Sequence, residues 1–107
     1  MKRFNSTGEI DAEIAQSRLH VLYVSDGACS VAEAVWPKIE ALRAKFPEAE
    51  MSFVLLDDLP ELAGRFSIFT VPVVIVHFEG KEVLRQARIP QLGALEQTLK
   101  RFSEFME

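Results

Sequence analysis

The single cysteine of this chain, Cys29, has the surroundings most suggestive of chemistry in the sequence. It lies within residues 20–37, HVLYVSDGACSVAEAVWP, between a continuous apolar run and a stretch with helical periodicity. We therefore expect Cys29 to lie where a buried strand passes into the first turn of a helix. Free backbone N–H groups and the helix dipole favour a thiolate there, which is the nucleophilic form. The alternative is that Cys29 is a small buried apolar residue.

Other residues capable of chemistry lack a spacing that suits a site. His20 begins one predicted strand and His77 ends another, without the spacing of metal ligands, so we expect no metal. Asp57 and Asp58 are adjacent acids after a strand, which is typical of solvated turn residues. The sequence has no glycine-rich phosphate loop, Ser-His-Asp arrangement or stacking surface for bases, so we expect neither a cofactor nor a nucleic-acid partner.

Length and composition favour one compact domain over residues 1–107. The chain is 49% hydrophobic, which suits a single core covered on two sides. Its 12 basic and 16 acidic residues give a net charge of -4, which argues against a basic nucleic-acid footprint. One cysteine excludes an internal disulfide and fits a reducing cytosol, so we expect a cytoplasmic protein. No apolar run has the pattern of a signal peptide or the length of a membrane span.

Hydrophobic patterns predict the elements that would position Cys29. Residues 20–24 and 51–56 have the apolar character of buried strands, and residues 30–45 have the periodicity of an amphipathic helix. Pro37 lies inside that helix, where we expect a kink. A strand, a helix and a strand of these lengths favour a right-handed parallel crossover.

The rest of the chain predicts a hairpin and three further helices. Residues 73–78 and 81–85 are apolar strands separated by Glu79 and Gly80, a spacing that predicts an antiparallel hairpin. A short edge strand at residues 2–4 and a polar turn at residues 5–8 would precede the first helix. The helices are expected from Glu9 to before Leu19, over residues 60–66 and over residues 91–105.

This succession of elements resembles the thioredoxin fold, an α/β fold with a mixed central sheet flanked by helices on both faces. The motif CSVA at residues 29–32, followed by Pro37, resembles the family's Cys-x-x-Cys motif and its helix-kinking proline. The segment TVP at residues 70–72 resembles the cis-proline segment that faces this motif. Residues 78–99, FEGKEVLRQARIPQLGALEQTL, are similar to the family's terminal hairpin and last helix, so the resemblance spans residues 19–103.

The sequence also departs from the family pattern. Ala32 stands where the family has its second cysteine, so a mixed disulfide formed by Cys29 would find no resolving thiol within the motif. Tyr23 and Phe53 stand where family members bury an acid and a lysine, which removes the proton-transfer assistance attributed to that pair. Asp26, if it points at the sulfur, would oppose ionisation of the thiol.

The resemblance implies a role in thiol–disulfide exchange and cell redox homeostasis, with Cys29 as the single nucleophile and without full dithiol reductase activity. Backbone N–H groups of the helix would stabilise the thiolate, and the proline segment would orient the partner. The expected partner-binding residues are Ser30, Val31, Ala32, Val71 and Pro72. Protein thiols or disulfides, or a low-molecular-weight thiol, are the expected partners of a monomer or weak dimer that does not associate with membranes.

The same departures leave a second hypothesis open. The chain would then be a redox-inactive binding module that recognises a protein segment by strand addition in the groove beside Pro72. A third hypothesis is a dimer joined by a disulfide between two copies of Cys29. A partner whose binding is indifferent to Cys29→Ala favours the second hypothesis, and a non-reducing gel tests the third.

Overall fold

A computed structural model of the chain describes residues 4–26, 30–87 and 91–106, with the backbone alone for residues 30–34. The predicted hairpin and helices are present there with shifted bounds, whereas Phe4 is not in a strand and the rest of the predicted edge strand lies outside the described residues. The elements are α1 (Thr7–Gln16), β1 (Leu19–Ser25), α2 (Ser30–Lys45), β2 (Ala49–Leu55), α3 (Leu62–Arg65), β3 (Val73–Phe78), β4 (Lys81–Ala87), α4 (Leu92–Ser103) and a 3-10 turn (Glu104–Met106).

The four strands form one mixed sheet in the order β2-β1-β3-β4. β1 pairs with β2 in parallel, with α2 between them in the chain, as the strand-helix-strand pattern predicted. β3 is antiparallel to both β1 and β4. All seven residues of β1 are buried, because this strand has a neighbour on each edge and a packed layer on each face.

Alternate residues of the strands build two apolar clusters, one on each face of the sheet. Tyr23 of β1 belongs to the cluster that includes residues of α2 and α4. Leu22 belongs to the cluster that includes residues of α1 and α3. The fold is therefore the α/β fold with helices on both faces that the sequence predicted.

The turn between β3 and β4 has the geometry of a type I′ hairpin. Glu79 has a φ of 50° and Gly80 a φ of 82°, and this turn type needs positive φ at both central positions. The predicted antiparallel hairpin is confirmed, and β4 extends to Ala87, two residues beyond the predicted strand.

The polar turn predicted at residues 5–8 is wrong in its second half, because Thr7 and Gly8 belong to α1. Ser6 caps this helix, and its hydroxyl accepts a hydrogen bond from the Glu9 N–H at 3.2 Å. The Glu9 carboxylate in turn accepts from the Asn5 N–H at 2.7 Å. This reciprocal capping starts the helix earlier than the apolar periodicity alone indicates.

Candidate functional site

The end of β1 and the start of β3 meet at one edge of the sheet. Val24 pairs with Val73 in the antiparallel register. The register, continued by one residue, places Ser25 beside Pro72. Adjacent strands are about 4.8 Å apart, so these two backbones are in direct contact range. Pro72 is buried, Val71 is partly buried, and the peptide bond between them is cis.

The end of β2 lies at the same edge. Ser25 pairs with Leu55 in the parallel register, and the Leu56 N–H donates a hydrogen bond to the Ser25 carbonyl at 2.7 Å. The order along the edge is therefore Leu56, Ser25 and Pro72. Open α/β sheets commonly hold their ligands beyond the carboxyl ends of parallel strands, which is the position of this edge.

Cys29 lies outside the described residues, as do the side chains of Ser30, Val31 and Ala32. The backbone on either side of it is described: β1 ends at Ser25, and α2, with 16 residues, begins at Ser30. The predicted strand and helix that flank Cys29 are confirmed, and the position of Cys29 between them stays a prediction. Its role as a nucleophile stays a prediction.

Three aromatic side chains pack together next to this edge. Tyr23 and Phe53 are directly opposite in the β1–β2 register, with ring centroids 5.3 Å apart. The Trp36 ring centroid lies 5.7 Å from that of Tyr23 and 5.0 Å from that of Phe53. Trp36 is only 7% exposed, so it is a packing residue rather than an exposed binding surface. An aromatic cluster thus occupies the positions where the resemblance places an acid and a lysine.

Two polar atoms at this edge are buried with no hydrogen-bond partner among the residues described. They are the Oγ atom of Ser25 and the Oδ1 atom of Asp26. Asp26 directly follows β1 and precedes Cys29 by three residues in the chain.

Phe69 is the most exposed large apolar side chain of the described part of the chain, at 92% exposure. It lies three residues before Pro72, in the segment that leads into the site edge. Sequence reasoning missed it because residues 66–78 are apolar almost throughout, and no periodicity there distinguishes a buried side chain from an exposed one.

The two histidines lie at the other end of the sheet. His20 and His77 are opposite one another in the β1–β3 register, and His20 is about 16 Å from Ser25 along the strand. The His20 Nε2 atom is 2.9 Å from the Ser52 hydroxyl, and burial lowers the pKa of His20 to about 4. Burial also lowers the pKa of His77. No group of three potential metal ligands occurs within residues 4–26, 30–87 and 91–106.

A cleft of about 450 Å³ opens over His77 on the face covered by α1 and α3. Its charged side chains are paired: Arg65 contacts Asp11 at 2.9 Å, and Arg85 donates to Glu82 at 2.8 Å. The hydrogen bond from Arg85 lowers the pKa of the Glu82 carboxyl. The residues that line the cleft are scattered in the sequence, so no motif predicted it. Because its charged side chains pair with one another, the cleft has no evident ligand.

No helix in the described part of the chain is both long enough and apolar enough to cross a membrane.

A comparison with protein-family models gives no match. Among curated proteins, thioredoxin-like protein YdfQ of Bacillus subtilis is 37% identical over 107 residues, which is 100% of this chain and 96% of that protein. Thioredoxin-1 of Saccharomyces cerevisiae is 26% identical over 83 residues, covering 78% of this chain and 81% of that protein.

Solved structures show the same similarity in three dimensions. Thioredoxin of Fasciola hepatica superposes with a TM-score of 0.83 and 27% identity, covering 95% of this chain and 99% of that structure. The oxidised form of mitochondrial thioredoxin 3 of Saccharomyces cerevisiae has a TM-score of 0.85 at 17% identity, covering 94% of each chain. At 17% identity, the comparison with the yeast protein shows the fold alone. The comparison with the Fasciola hepatica protein agrees with that fold.

Proposed function

Because this chain belongs to the thioredoxin-like family, we propose that it takes part in thiol–disulfide exchange through Cys29 as its only nucleophile. The family and the fold support thiol–disulfide exchange in general. The observation that carries the proposal is the shape of the site edge: β1 ends beside Pro72, and α2 begins at the residue after Cys29. The single-thiol mechanism rests on the motif CSVA, in which Ala32 replaces the second cysteine.

The proposed exchange has two steps. The Cys29 thiolate attacks one sulfur of a partner disulfide, forming a Cys29–partner disulfide while the other partner sulfur leaves as a thiolate. An external thiolate, from a second protein or a low-molecular-weight thiol, then attacks the mixed disulfide and restores the Cys29 thiolate. The external thiol is required because the motif has no second cysteine.

Backbone groups supply the rest of the proposed site. The N–H groups of Ser30 and Val31, at the start of a 16-residue helix, would stabilise the thiolate. The backbone of Val71, just before β3, would pair with an extended partner segment, and Pro72 would orient it. We propose protein disulfides in a reducing cytosol as the main partners.

Trapping of a mixed disulfide tests this proposal. The wild-type protein is expected to form a complex with a protein disulfide that persists on a non-reducing gel, whereas Cys29→Ser forms none. Ala32→Cys serves as the matched variant, because its new thiol resolves the mixed disulfide and shortens the lifetime of the complex. A complex that forms equally well with Cys29→Ser would refute the proposal.

A second candidate function is a redox-inactive binding module that accepts a protein segment beside Pro72. Two departures from the family pattern favour this candidate. Tyr23 and Phe53 form an aromatic pair in place of an acid and a lysine, and Ala32 replaces the second cysteine. This candidate predicts that Cys29→Ala leaves the affinity for a partner unchanged. A loss of affinity in that variant would count against it.

A further inference from the structure

Two buried histidines, His20 and His77, face one another on the side of the sheet that α1 covers. We propose that this histidine pair makes α1 a proton-sensitive cover of the sheet. When the pair takes up a proton, α1 opens so that the charged ring reaches water, while the sheet and the helices on its other face stay packed. The device is independent of the chemistry proposed for Cys29, because the pair lies at the other end of the sheet.

The two histidines are direct neighbours on adjacent strands. They are partners in the antiparallel β1–β3 register, and side chains at opposite positions point to the same face, with Cβ atoms about 5 Å apart. Leu22 and Ile75, two residues along each strand, belong to the apolar cluster that includes α1 and α3, so both imidazole rings lie on that face. His20 is 0% exposed and His77 is 8% exposed, which shields both rings from water.

Neither ring has the hydrogen-bond partners that a positive charge requires. A protonated imidazole donates from both of its nitrogen atoms. The His20 Nε2 atom is 2.9 Å from the Ser52 hydroxyl, but the Nδ1 atoms of His20 and His77 are buried without a hydrogen-bond partner among the residues described. A proton on either ring would therefore leave a buried N–H group unpaired, which is costly in the closed structure.

The charged groups around the pair do not stabilise a protonated ring enough to keep it buried. They are Asp11 and Glu13 of α1, Arg65 of α3, and Glu82 and Arg85 of β4. Four of these charges form two ion pairs, at 2.9 and 2.8 Å, and thus largely neutralise one another. Burial lowers the pKa of His20 to about 4 and outweighs the Glu13 carboxylate, which favours the charged ring. Lys2 and Arg3, which precede α1, lie outside the described residues.

α1 is the element that can expose the pair. β1 lies between β2 and β3, and all seven of its residues are buried, so it cannot move without the sheet. Ile14 and Ala15 of α1 line the cleft over His77, so this helix covers the ring. α1 has only 10 residues, of which Ile10 and Ile14 are buried, and a helix of this length is marginal once it leaves the core. It can therefore open at a lower cost than the sheet.

Opening of α1 is expected to increase as the pH falls. In the open form a histidine titrates near its ordinary pKa of about 6.5, so between this value and about 4 the open form binds more protons than the closed form. From pH 7 to pH 5, His20 alone should multiply the open population by about 20. Burial also lowers the pKa of His77, which adds to this factor.

Hydrogen exchange of single amides, measured by NMR at pH 7 and pH 5 and corrected for the intrinsic exchange rate, tests the proposal. The amides of residues 11–16 should have protection factors at least about tenfold smaller than those of β1 at both pH values, because α1 opens without the sheet. Their protection factors should nevertheless fall by at least about 20-fold from pH 7 to pH 5. The last turn of α4, which frays without exposing the histidines, should show no such change.

Variants of the pair and of its cover separate the cause from a general weakening of the helix. His20→Gln should reduce the effect of pH on the α1 amides, and His20→Gln/His77→Gln should abolish it. The matched control is Ile10→Val, which removes one buried methyl group from α1 and leaves both histidines in place. This variant should lower the protection of α1 at both pH values and keep the ratio between them.

Two results would overturn the inference. Protection factors of α1 equal to those of β1 would show that the helix opens only when the whole fold does. Protection of α1 that is the same at pH 7 and pH 5, or that falls equally in His20→Gln/His77→Gln, would show that the pair does not control the helix. If the double variant does not fold, the comparison of α1 with β1 in the wild type still decides between these outcomes.

Discussion

His20 shows how a residue capable of chemistry is used for structure. It is fully buried, its Nε2 atom is 2.9 Å from the Ser52 hydroxyl, and its pKa falls to about 4 because of burial. It is therefore neutral in the folded protein at pH 7. The sequence predicted that the two histidines would not form a metal site, but it could not reveal the hydrogen bond to Ser52, which depends on the register of neighbouring strands.

The lowered pKa of His20 predicts a loss of stability in acid. In the unfolded chain a histidine titrates near its ordinary pKa of about 6.5, so between this value and about 4 the unfolded state binds more protons than the folded state. The free energy of unfolding should consequently fall as the pH is lowered, by about 3 kcal/mol at pH 4 for this group.

Urea denaturation of the wild type and of His20→Gln at pH 7, 5.5 and 4 measures this effect. Carboxylates contribute to both proteins equally, so the difference in stability between the two should move in favour of the variant as the pH falls. If the difference in stability between the two proteins stayed constant from pH 7 to 4, this would contradict the lowered pKa of His20.

At the scale of elements, the β3–β4 hairpin is the one most clearly specified by its sequence. Gly80 has a φ of 82°, and no atom beyond its chain neighbours lies within 4 Å of a Cβ placed on it. Gly80→Ala should therefore destabilise the fold by about 1 kcal/mol through backbone conformation alone, without a steric clash.

The matched control is Gly93 in α4, where an added Cβ also meets open space but φ is not positive. Gly93→Ala should stabilise the protein by about 0.5 kcal/mol, because alanine loses less backbone entropy in a helix. Thermal denaturation should give shifts of opposite sign for the two variants. A shift of the same sign in both would show that the turn geometry is not the cause.

The sequence predicted these elements well where the apolar pattern was continuous or regular, as in β1 and α2. It was less accurate where hydrogen bonds rather than burial set a boundary. The capping of α1 by Ser6 and Glu9 and the extension of β4 to Ala87 both depend on backbone partners that periodicity does not reveal. The short helix predicted over residues 60–66 is limited to Leu62–Arg65, because hydrogen bonds rather than burial set its ends.

At the scale of the whole molecule, the order of strands brings the candidate site together. Three segments that are distant in the sequence meet at one edge: residues after β1, residues after β2 and residues before β3. The resemblance to the thioredoxin family implied that Pro72 would face the motif at Cys29. It did not imply the exposed ring of Phe69, because that feature belongs to the sequence of this chain.

The whole account depends on a reactive thiol at Cys29, supported by a helix that begins at the next residue. The rate of Cys29 alkylation as a function of pH, in native and in denatured protein, tests this claim most directly. We predict that the native thiol reacts with an apparent pKa below that of a free cysteine, about 8.5, and that denaturation restores the ordinary value. A native thiol that reacts slowly, or with an ordinary or raised apparent pKa, would contradict single-thiol exchange.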